Sequence, residues 1–382
     1  MVGATGSIGL QAIDVVSRHA DRLRLVALAV GRQWEQGCVL ARQVQAQALA
    51  VASPPDAEQA RRALAGTGIE VLEGDAGVRA VAAWPGASRT LVAAAGIAGL
   101  GPTCAALEAG HDVALANKES LVAGGALVTA LASRHGARIL PVDSEHSAVF
   151  QCLGGRSVTG VSRIWLTASG GPFRQASAEE IAAATPERAL RHPTWRMGPR
   201  VTVDSASLFN KGLEVIEASW LFGLSVDAVA VVVHPQSIVH SLVEFVDGSW
   251  LAQCAPPDMR LPIQVALSWP ERWSGSPVAT LDWTAIGHLD FEPPDRSRFP
   301  CLDLAYEAAR MGGTAPAALN AADEVAVERF LAGDIAFGDI PRVLVDVLAH
   351  HNVIPAPALE DVLWADAQAR ERARGPLRLA GR

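Results

Sequence analysis

The sequence predicts an α/β protein with an N-terminal doubly wound parallel sheet, a central α+β domain and a C-terminal helical bundle. Three observations predict it. A glycine-rich turn, Gly3-x-x-Gly6-x-x-Gly9, runs directly into apolar residues at helical spacing. Short apolar runs then alternate with helical stretches up to residue 142, the pattern of parallel strands joined by crossover helices. From Cys301 onward the chain is amphipathic and helical, with short connections.

At 382 residues the chain exceeds one ordinary core, so two or three domains are expected. The expected division is 1–143 for the doubly wound domain and 144–273 for the central α+β domain. A linker rich in Pro, Gly and Asp follows over 274–299, then a four-helix bundle over 300–382. Half the residues are hydrophobic and only 19% are charged, a composition that folds rather than stays disordered. The net charge of −8 gives no basic face for nucleic acid, although a local cluster of Lys, Ser and backbone N–H groups can still hold one phosphate. The five cysteines (Cys38, Cys104, Cys152, Cys254 and Cys301) are scattered and form no CxxC pair. They read as reduced thiols of a cytoplasmic protein, with no disulfide framework and no zinc site. No apolar run approaches the ~20 residues of a membrane span, and no signal peptide is read at the N-terminus.

In chain order, the glycine turn suits a pyrophosphate, whose charge can rest on N–H groups at the start of the following helix. A tight turn is the plainer alternative. Residues 23–30 read as the second strand of a βαβ unit. Where an acid would take the ribose 2′-hydroxyl of NAD, the chain has Gly31-Arg32-Gln33. An arginine there suits a 2′-phosphate, which favours NADP, unless Arg32 is an ordinary surface residue. Only Met1 and Val2 stand where a strand should precede Gly3, so the first strand is expected to be mostly missing. Further strands are expected over 48–52, 70–72, 89–95, 112–116 and 138–142. Two of them end in polar clusters, Asn117-Lys118-Glu119 and Asp143-Ser144-Glu145. If the backbone stays extended there, Asp143 and Glu145 point to one side and suit a hard divalent cation. Two solvated acids in a loop are the other possibility.

Beyond residue 146 the pattern changes. A strand over 162–168 opens onto Ser169-Gly170-Gly171-Pro172. His192-Pro193-Thr194-Trp195-Arg196-Met197-Gly198 reads as a lid that buries Trp195 over a ligand, or as a loop packed permanently on its domain. From Ala206 a helix is expected, carrying Asn210 and Glu214 on one face with Lys211 one step round. Ser205, Asn210 and Lys211 can donate to a phosphate, and Glu214 can be a third metal carboxylate. Residues 228–233 read as a buried strand, and Asp247-Gly248 as the turn of a hairpin whose sheet could serve as a dimer surface. His234 and His240 read as satisfied structural histidines.

Eight motifs in order resemble one family. They are the Gly3–Gly9 turn, Ala116-Asn117-Lys118-Glu119-Ser120, Pro141-Val142-Asp143-Ser144-Glu145-His146, Ser169-Gly170-Gly171-Pro172-Phe173, His192-Pro193-x-Trp195-x-Met197-Gly198, Asp204-Ser205-Ala206, Asn210-Lys211-Gly212-Leu213-Glu214 and His234-Pro235-Gln236-Ser237. Together they are similar to 1-deoxy-D-xylulose 5-phosphate reductoisomerases over nearly the whole chain. The resemblance implies a Rossmann-like first domain and a homodimer. It also implies NADPH- and metal-dependent conversion of 1-deoxy-D-xylulose 5-phosphate to 2-C-methyl-D-erythritol 4-phosphate, in non-mevalonate isoprenoid synthesis. It implies Asp143, Glu145 and Glu214 as ligands of Mg²⁺ or Mn²⁺, with Co²⁺ admitted. Lys118, Ser144, Glu145, Ser169, His192, Trp195, Ser205, Asn210, Lys211 and Glu214 would meet the sugar phosphate. Thr5, Gly6, Ser7, Ile8, Gly31, Arg32, Gln33, Asn117, Glu119 and Gly198 would line the NADPH site. Lys118 joins the three carboxylates as a catalytic candidate. Two rivals stand beside this reading. One is an NADP-dependent dehydrogenase of another small phosphorylated or amino-acid-derived substrate, and the other is a non-enzymatic NADP-binding scaffold.

Overall fold

The structure, a computed structural model, describes residues 1–376. They form two compact units. The first comprises Met1–Ser120, Val128–Ser147 and Asp258–Ala279, and the second Leu121–Leu127, Ala148–Pro257 and the chain from Thr280.

The first unit is built on β1 (Ala27–Val30), β2 (Ala48–Val51), β3 (Glu70–Glu73), β4 (Arg89–Val92), β5 (Asp112–Leu115) and β6 (Ile139–Pro141). β1 and β2 are both Ala-Leu-Ala-Val and are buried throughout, as a sheet covered on both faces by helices requires. All pairings are parallel, in the orders β3-β2-β1 and β4-β5-β6. Val2 joins the two halves by single parallel bridges to Ala29 and Val92. The order β3-β2-β1-Val2-β4-β5-β6 is therefore doubly wound, with the central position held by one residue rather than a strand. Helix Arg260–Ser268 belongs to this unit and packs on helix Ser7–Arg18, where Arg260 pairs with Asp14 at 3.3 Å.

The second unit contains β7 (Val161–Ala168), β8 (Val229–Val233), β9 (Val239–Phe245) and β10 (Trp250–Cys254), in the order β10-β9-β7-β8. β7 and β8 are parallel, and the other pairs are antiparallel. The β9–β10 turn uses Gly248 at φ +83°, a conformation glycine takes without strain. Helix Phe209–Phe222 packs on β7 and β8, and on its other side meets helix Cys301–Met311. A Cβ on Gly212 would lie 2.5 Å from the Ala305 Cβ, so glycine sets that close approach. Helices Ala315–Ala332, Ile340–His350 and Leu359–Arg374 complete the C-terminal bundle. Sheet and bundle share one core, running from Ile164 and Leu166 through Phe209 and Val215 to Leu302, Leu319 and Phe330. The Pro-rich stretch before the bundle is tied down, because Glu292 exchanges both backbone hydrogen bonds with Val233, at 2.8 and 2.9 Å. Among the described residues no helix is long and apolar enough to cross a membrane, and all five cysteines are free thiols.

Candidate active site

In the first unit the polar residues of interest gather at the C-terminal edge of the parallel sheet. Thr5, Gly6, Ser7 and Ile8 open helix Ser7–Arg18, whose N-cap, Gly6, supplies no side-chain cap. The N–H groups of that first turn are thus offered to a ligand rather than to a side chain. The turn is tightly shaped. A Cβ on Gly3 (φ +85°) would sit 2.5 Å from the Ala93 carbonyl oxygen, and one on Gly9 would sit 2.3 Å from the Gly3 carbonyl oxygen. Glycine is needed there for close backbone approach as well as for conformation. Gly31, Arg32 and Gln33 follow β1 and are exposed.

At the end of β5, Asn117 caps helix Lys118–His135 by accepting from the Ser120 N–H. Its amide nitrogen donates to the Ala94 and Gly96 carbonyls and to Glu119, while Glu119 accepts from the Gly96 N–H. Asn117 is 1% exposed. Its side chain therefore serves to clamp the loop after β4 against the start of this helix. The next residue, Lys118, meets Asp143 at 2.6 Å.

Here the structure departs from the extended backbone expected for Asp143-Ser144-Glu145. β6 stops at Pro141, and helix Ser144–Leu153 begins at once, with the Asp143 carbonyl accepting from the Ser147 N–H. Asp and Ser are strong helix starters, and here they outweigh strand continuation. Glu145 sits in the first helical turn and accepts from the Ser144 hydroxyl. Burial pushes the Asp143 carboxyl up, but Lys118 and His146, 3.4 Å away, hold it well below the usual carboxylate range. His146 was assigned no role in the sequence reading. Its position three residues after Asp143, on the turn that Asp143 starts, was the available signal.

The second unit collects a group of donors. β7 ends in Ser169-Gly170-Gly171, with both glycines at positive φ (+81° and +65°). A Cβ on Gly171 would lie 2.6 Å from the Ser205 carbonyl oxygen, so this turn presses against the end of helix Pro199–Ala206. That helix, with Gly198 as N-cap and Pro199 at its first position, stands where none is expected, and the expected helix bearing Asn210 and Glu214 starts at Phe209 rather than at Ala206. Leu208, at φ +60°, separates it from helix Phe209–Phe222. On the second helix Glu214, 1% exposed, accepts from the Asn210 amide and the Lys211 ammonium. An ammonium this close favours the ionised form of the carboxyl group against the effect of burial.

His192 Nδ1 accepts from the Thr194 and Trp195 N–H groups at 3.2 and 2.9 Å. The proton then belongs on Nε2, which lies 3.0 Å from the Ser169 hydroxyl oxygen and donates to it. That oxygen also accepts from the Gly171 N–H, which leaves the Ser169 O–H to donate to a bound group. Burial lowers the His192 pKa to about 4, so the ring is neutral at pH 7. Trp195 is half-buried, its ring centroid 6.1 Å from that of His240. His234 donates from Nδ1 to the Asp290 carbonyl and accepts from the Ile238 N–H, and His240 Nε2 meets the Ala255 carbonyl.

Comparisons with known proteins give the family of the chain. A family model described as 1-deoxy-D-xylulose 5-phosphate reductoisomerase matches residues 1–125. Its C-terminal domain models match residues 139–222 and 254–372. A curated relative of that name from Pseudomonas putida (strain W619) is 52% identical over 100% of this chain and 98% of its own length. One from Moorella thermoacetica is 52% identical over 98% of this chain and 96% of its own length. The solved structure of the Zymomonas mobilis enzyme in complex with NADPH superposes with a TM-score of 0.92 at 44% identity, covering 97% of this chain and 96% of its own. Another solved reductoisomerase, in complex with NADPH, fosmidomycin and magnesium, gives 0.92 at 40% identity over the same shares. With such relatives matching end to end, the chain belongs to the 1-deoxy-D-xylulose 5-phosphate reductoisomerase family.

Proposed function

We propose that this protein isomerises 1-deoxy-D-xylulose 5-phosphate and reduces the product to 2-C-methyl-D-erythritol 4-phosphate, using NADPH and a divalent cation. One observation carries the reading beyond family membership. Two of the three candidate metal carboxylates are each paired with a lysine, Asp143 with Lys118 at 2.6 Å and Glu214 with Lys211, an opposite charge that favours the anion. Ionised carboxylates form the all-oxygen donor set that Mg²⁺, Mn²⁺ or Co²⁺ accepts, and the residues fit such an ion. Asp143, Glu145 and Glu214 would hold it. When bound, it would act as a Lewis acid toward the substrate's carbonyl and hydroxyl oxygens.

The remaining roles belong to the chain's own side chains. Ser169, Ser205, Asn210 and Lys211 hold the phosphate, with neutral His192 orienting the Ser169 hydroxyl. Phosphate binding away from the reacting carbons supplies energy that positions them. Lys118 and Ser144 contact the sugar, and Trp195 covers it and keeps water from the carbonyl that receives hydride. The N–H groups of residues 6–8 take the NADPH pyrophosphate, Arg32 its 2′-phosphate, and Thr5, Gly31, Gln33, Glu119 and Gly198 complete that site. Asn117 acts there as the clamp described above.

A metal-free dehydrogenase with a cysteine nucleophile is disfavoured, since burial pushes the Cys104 thiol up to about 12 and also raises Cys38, Cys254 and Cys301. The free thiols fit a cytoplasmic setting. Edge strand β10, with Trp250 and Leu251 exposed, is the surface on which we propose homodimerisation. The test follows NADPH absorbance with deoxyxylulose phosphate before and after exhaustive chelation. Oxidation should stop with the metal removed and return when it is restored. Undiminished turnover without metal would sink the proposal.

A further inference from the structure

Behind the phosphate end of the second unit lies a charge cluster that the proposed chemistry does not use. Arg200, in the first turn of helix Pro199–Ala206, donates to Glu324 Oε1 and Asn320 Oδ1, both at 2.8 Å. It also lies 3.6 Å from Asp204 and 3.9 Å from Asp323. Arg370 bonds Glu324 and Asp366, both at 2.6 Å. Asp204, Asp323 and Asp366 are 2%, 0% and 5% exposed. Four carboxylates thus share two guanidiniums in a nearly dry place. Among the described residues, no three of these carboxylates converge closely enough to hold a metal ion. Burial beside so much negative charge favours the protonated form of a carboxyl group.

We propose that Arg200 is a positioning residue for the phosphate site. Held by helix Ala315–Ala332, it sets the start of helix Pro199–Ala206 and with it Ser205, and it faces Asp204 and Asp323 across that contact. This rests on Ser205 being a phosphate contact, as proposed above. The groups facing Asp323 are consistent with it. Helix Pro199–Ala206 presents Arg200 and Asp204, and helix Cys301–Met311 presents the Cys301 thiol. Helix Leu359–Arg374 brings Asp366 and Arg370 to neighbouring Glu324. The charged groups of helix Ile340–His350 are engaged elsewhere, Arg342 with Asp339 and Asp346 with Arg372 and His350. Burial first, and Asp204 second, push the Asp323 carboxyl well above the usual range, against Arg200. Arg200 also stands two residues past Gly198, so it anchors the C-terminal end of the Trp195 segment.

The sign of the pH effect follows. The folded pKa of Asp323 is raised, so its contribution to stability is full below the unfolded value near 4 and is lost as pH rises toward the folded value. Replacing the carboxyl by a neutral isostere removes that slope.

The experiment compares Arg200→Met, Arg200→Lys, Ser205→Ala and Asp323→Asn in the full-length enzyme, by steady-state kinetics and by urea unfolding at several pH values. Arg200→Met should raise KM for the sugar phosphate roughly 10–100-fold and change kcat less than about 3-fold, with KM for NADPH unmoved. Arg200→Lys should recover part of the loss, since an ammonium keeps the charge without the fork. Asp323→Asn should keep both KM values and lose the fall in urea midpoint that begins as pH rises above about 4. If Ser205→Ala raises KM and Arg200→Met does not, the positioning role is overturned while the phosphate assignment survives. If Ser205→Ala is neutral, the phosphate assignment falls and takes this inference with it. An Asp323→Asn enzyme that mimics Arg200→Met would mean that Arg200 is held by an ionised Asp323, and would overturn its positioning through Glu324 and Asn320.

Discussion

Replacing Gly171 by alanine adds one methyl group at the point where the Ser169 turn meets helix Pro199–Ala206. The added Cβ would lie 2.6 Å from the Ser205 carbonyl oxygen and 3.1 Å from the Ala206 Cα. Ala206 is fully buried, so the helix end has little room to retreat. At φ +65° the alanine also carries left-handed strain of about 1–2 kcal/mol. Overpacking adds about 1–3 kcal/mol, so the total loss of stability should be about 2–5 kcal/mol. What relief there is comes from moving Ser205 away from Ser169. A misplacement on the order of 1 Å costs up to ~100-fold in a preorganised site. The assay pairs urea unfolding with NADPH-absorbance kinetics at saturating metal. KM for the sugar phosphate should rise about 10–100-fold, while KM for NADPH moves less than about 2-fold. Gly223→Ala is the control. Gly223 sits at φ +63° with nothing within 4 Å of its notional Cβ, so it carries the strain without the collision and should lose only about 1 kcal/mol. Equal shifts in both KM values for Gly171→Ala, or a phenotype no larger than that of Gly223→Ala, would refute the reasoning.

Two further predictions concern the cofactor and the histidine. Arg32→Ala removes a charge-assisted contact worth about 1.5–3 kcal/mol and should raise KM for NADPH roughly 10–100-fold. KM for the sugar phosphate should stay within about 2-fold, and an equal effect on both would remove Arg32 from the 2′-phosphate. For His192, the ring resonances of selectively labelled protein should titrate with a midpoint of about 4. The folded pKa is lowered, so the contribution of His192 to stability is present above about 6.5 and is lost as pH falls through about 4. An ordinary midpoint near 6.5 would mean that the His192 ring is not buried against Ser169 as described.

Much of the architecture was legible in the sequence because its periodicities are local. The bundle helices fall within a residue or so of the apolar pattern, as with Leu359–Arg374, since short connections and amphipathic faces leave few alternatives. The parallel strands were found but run shorter, β4 ending at Val92 rather than at residue 95. Apolar residues mark burial more widely than they mark pairing. The misplacements lie where side-chain chemistry or a rare dihedral decides. Asp143-Ser144 turns strand into helix by capping. Gly198-Pro199 starts a helix through β-branched Val201, Thr202 and Val203 that propensity alone would not place there. Leu208 at positive φ delays the expected helix from Ala206 to Phe209, and nothing about a leucine announces that. The Arg200 cluster draws partners from helices more than a hundred residues apart, a pairing no local pattern encodes.

The most direct test of the account is Mn²⁺ binding, read by the electron paramagnetic resonance of the free ion in titrations of the purified enzyme. The account predicts one ion per chain for the wild type. Asp143→Asn, Glu145→Gln and Glu214→Gln should each weaken that binding at least ~10-fold, since each removes one anionic ligand. A Glu214→Gln enzyme that binds Mn²⁺ as tightly as the wild type would contradict the claim that these three carboxylates hold one catalytic cation.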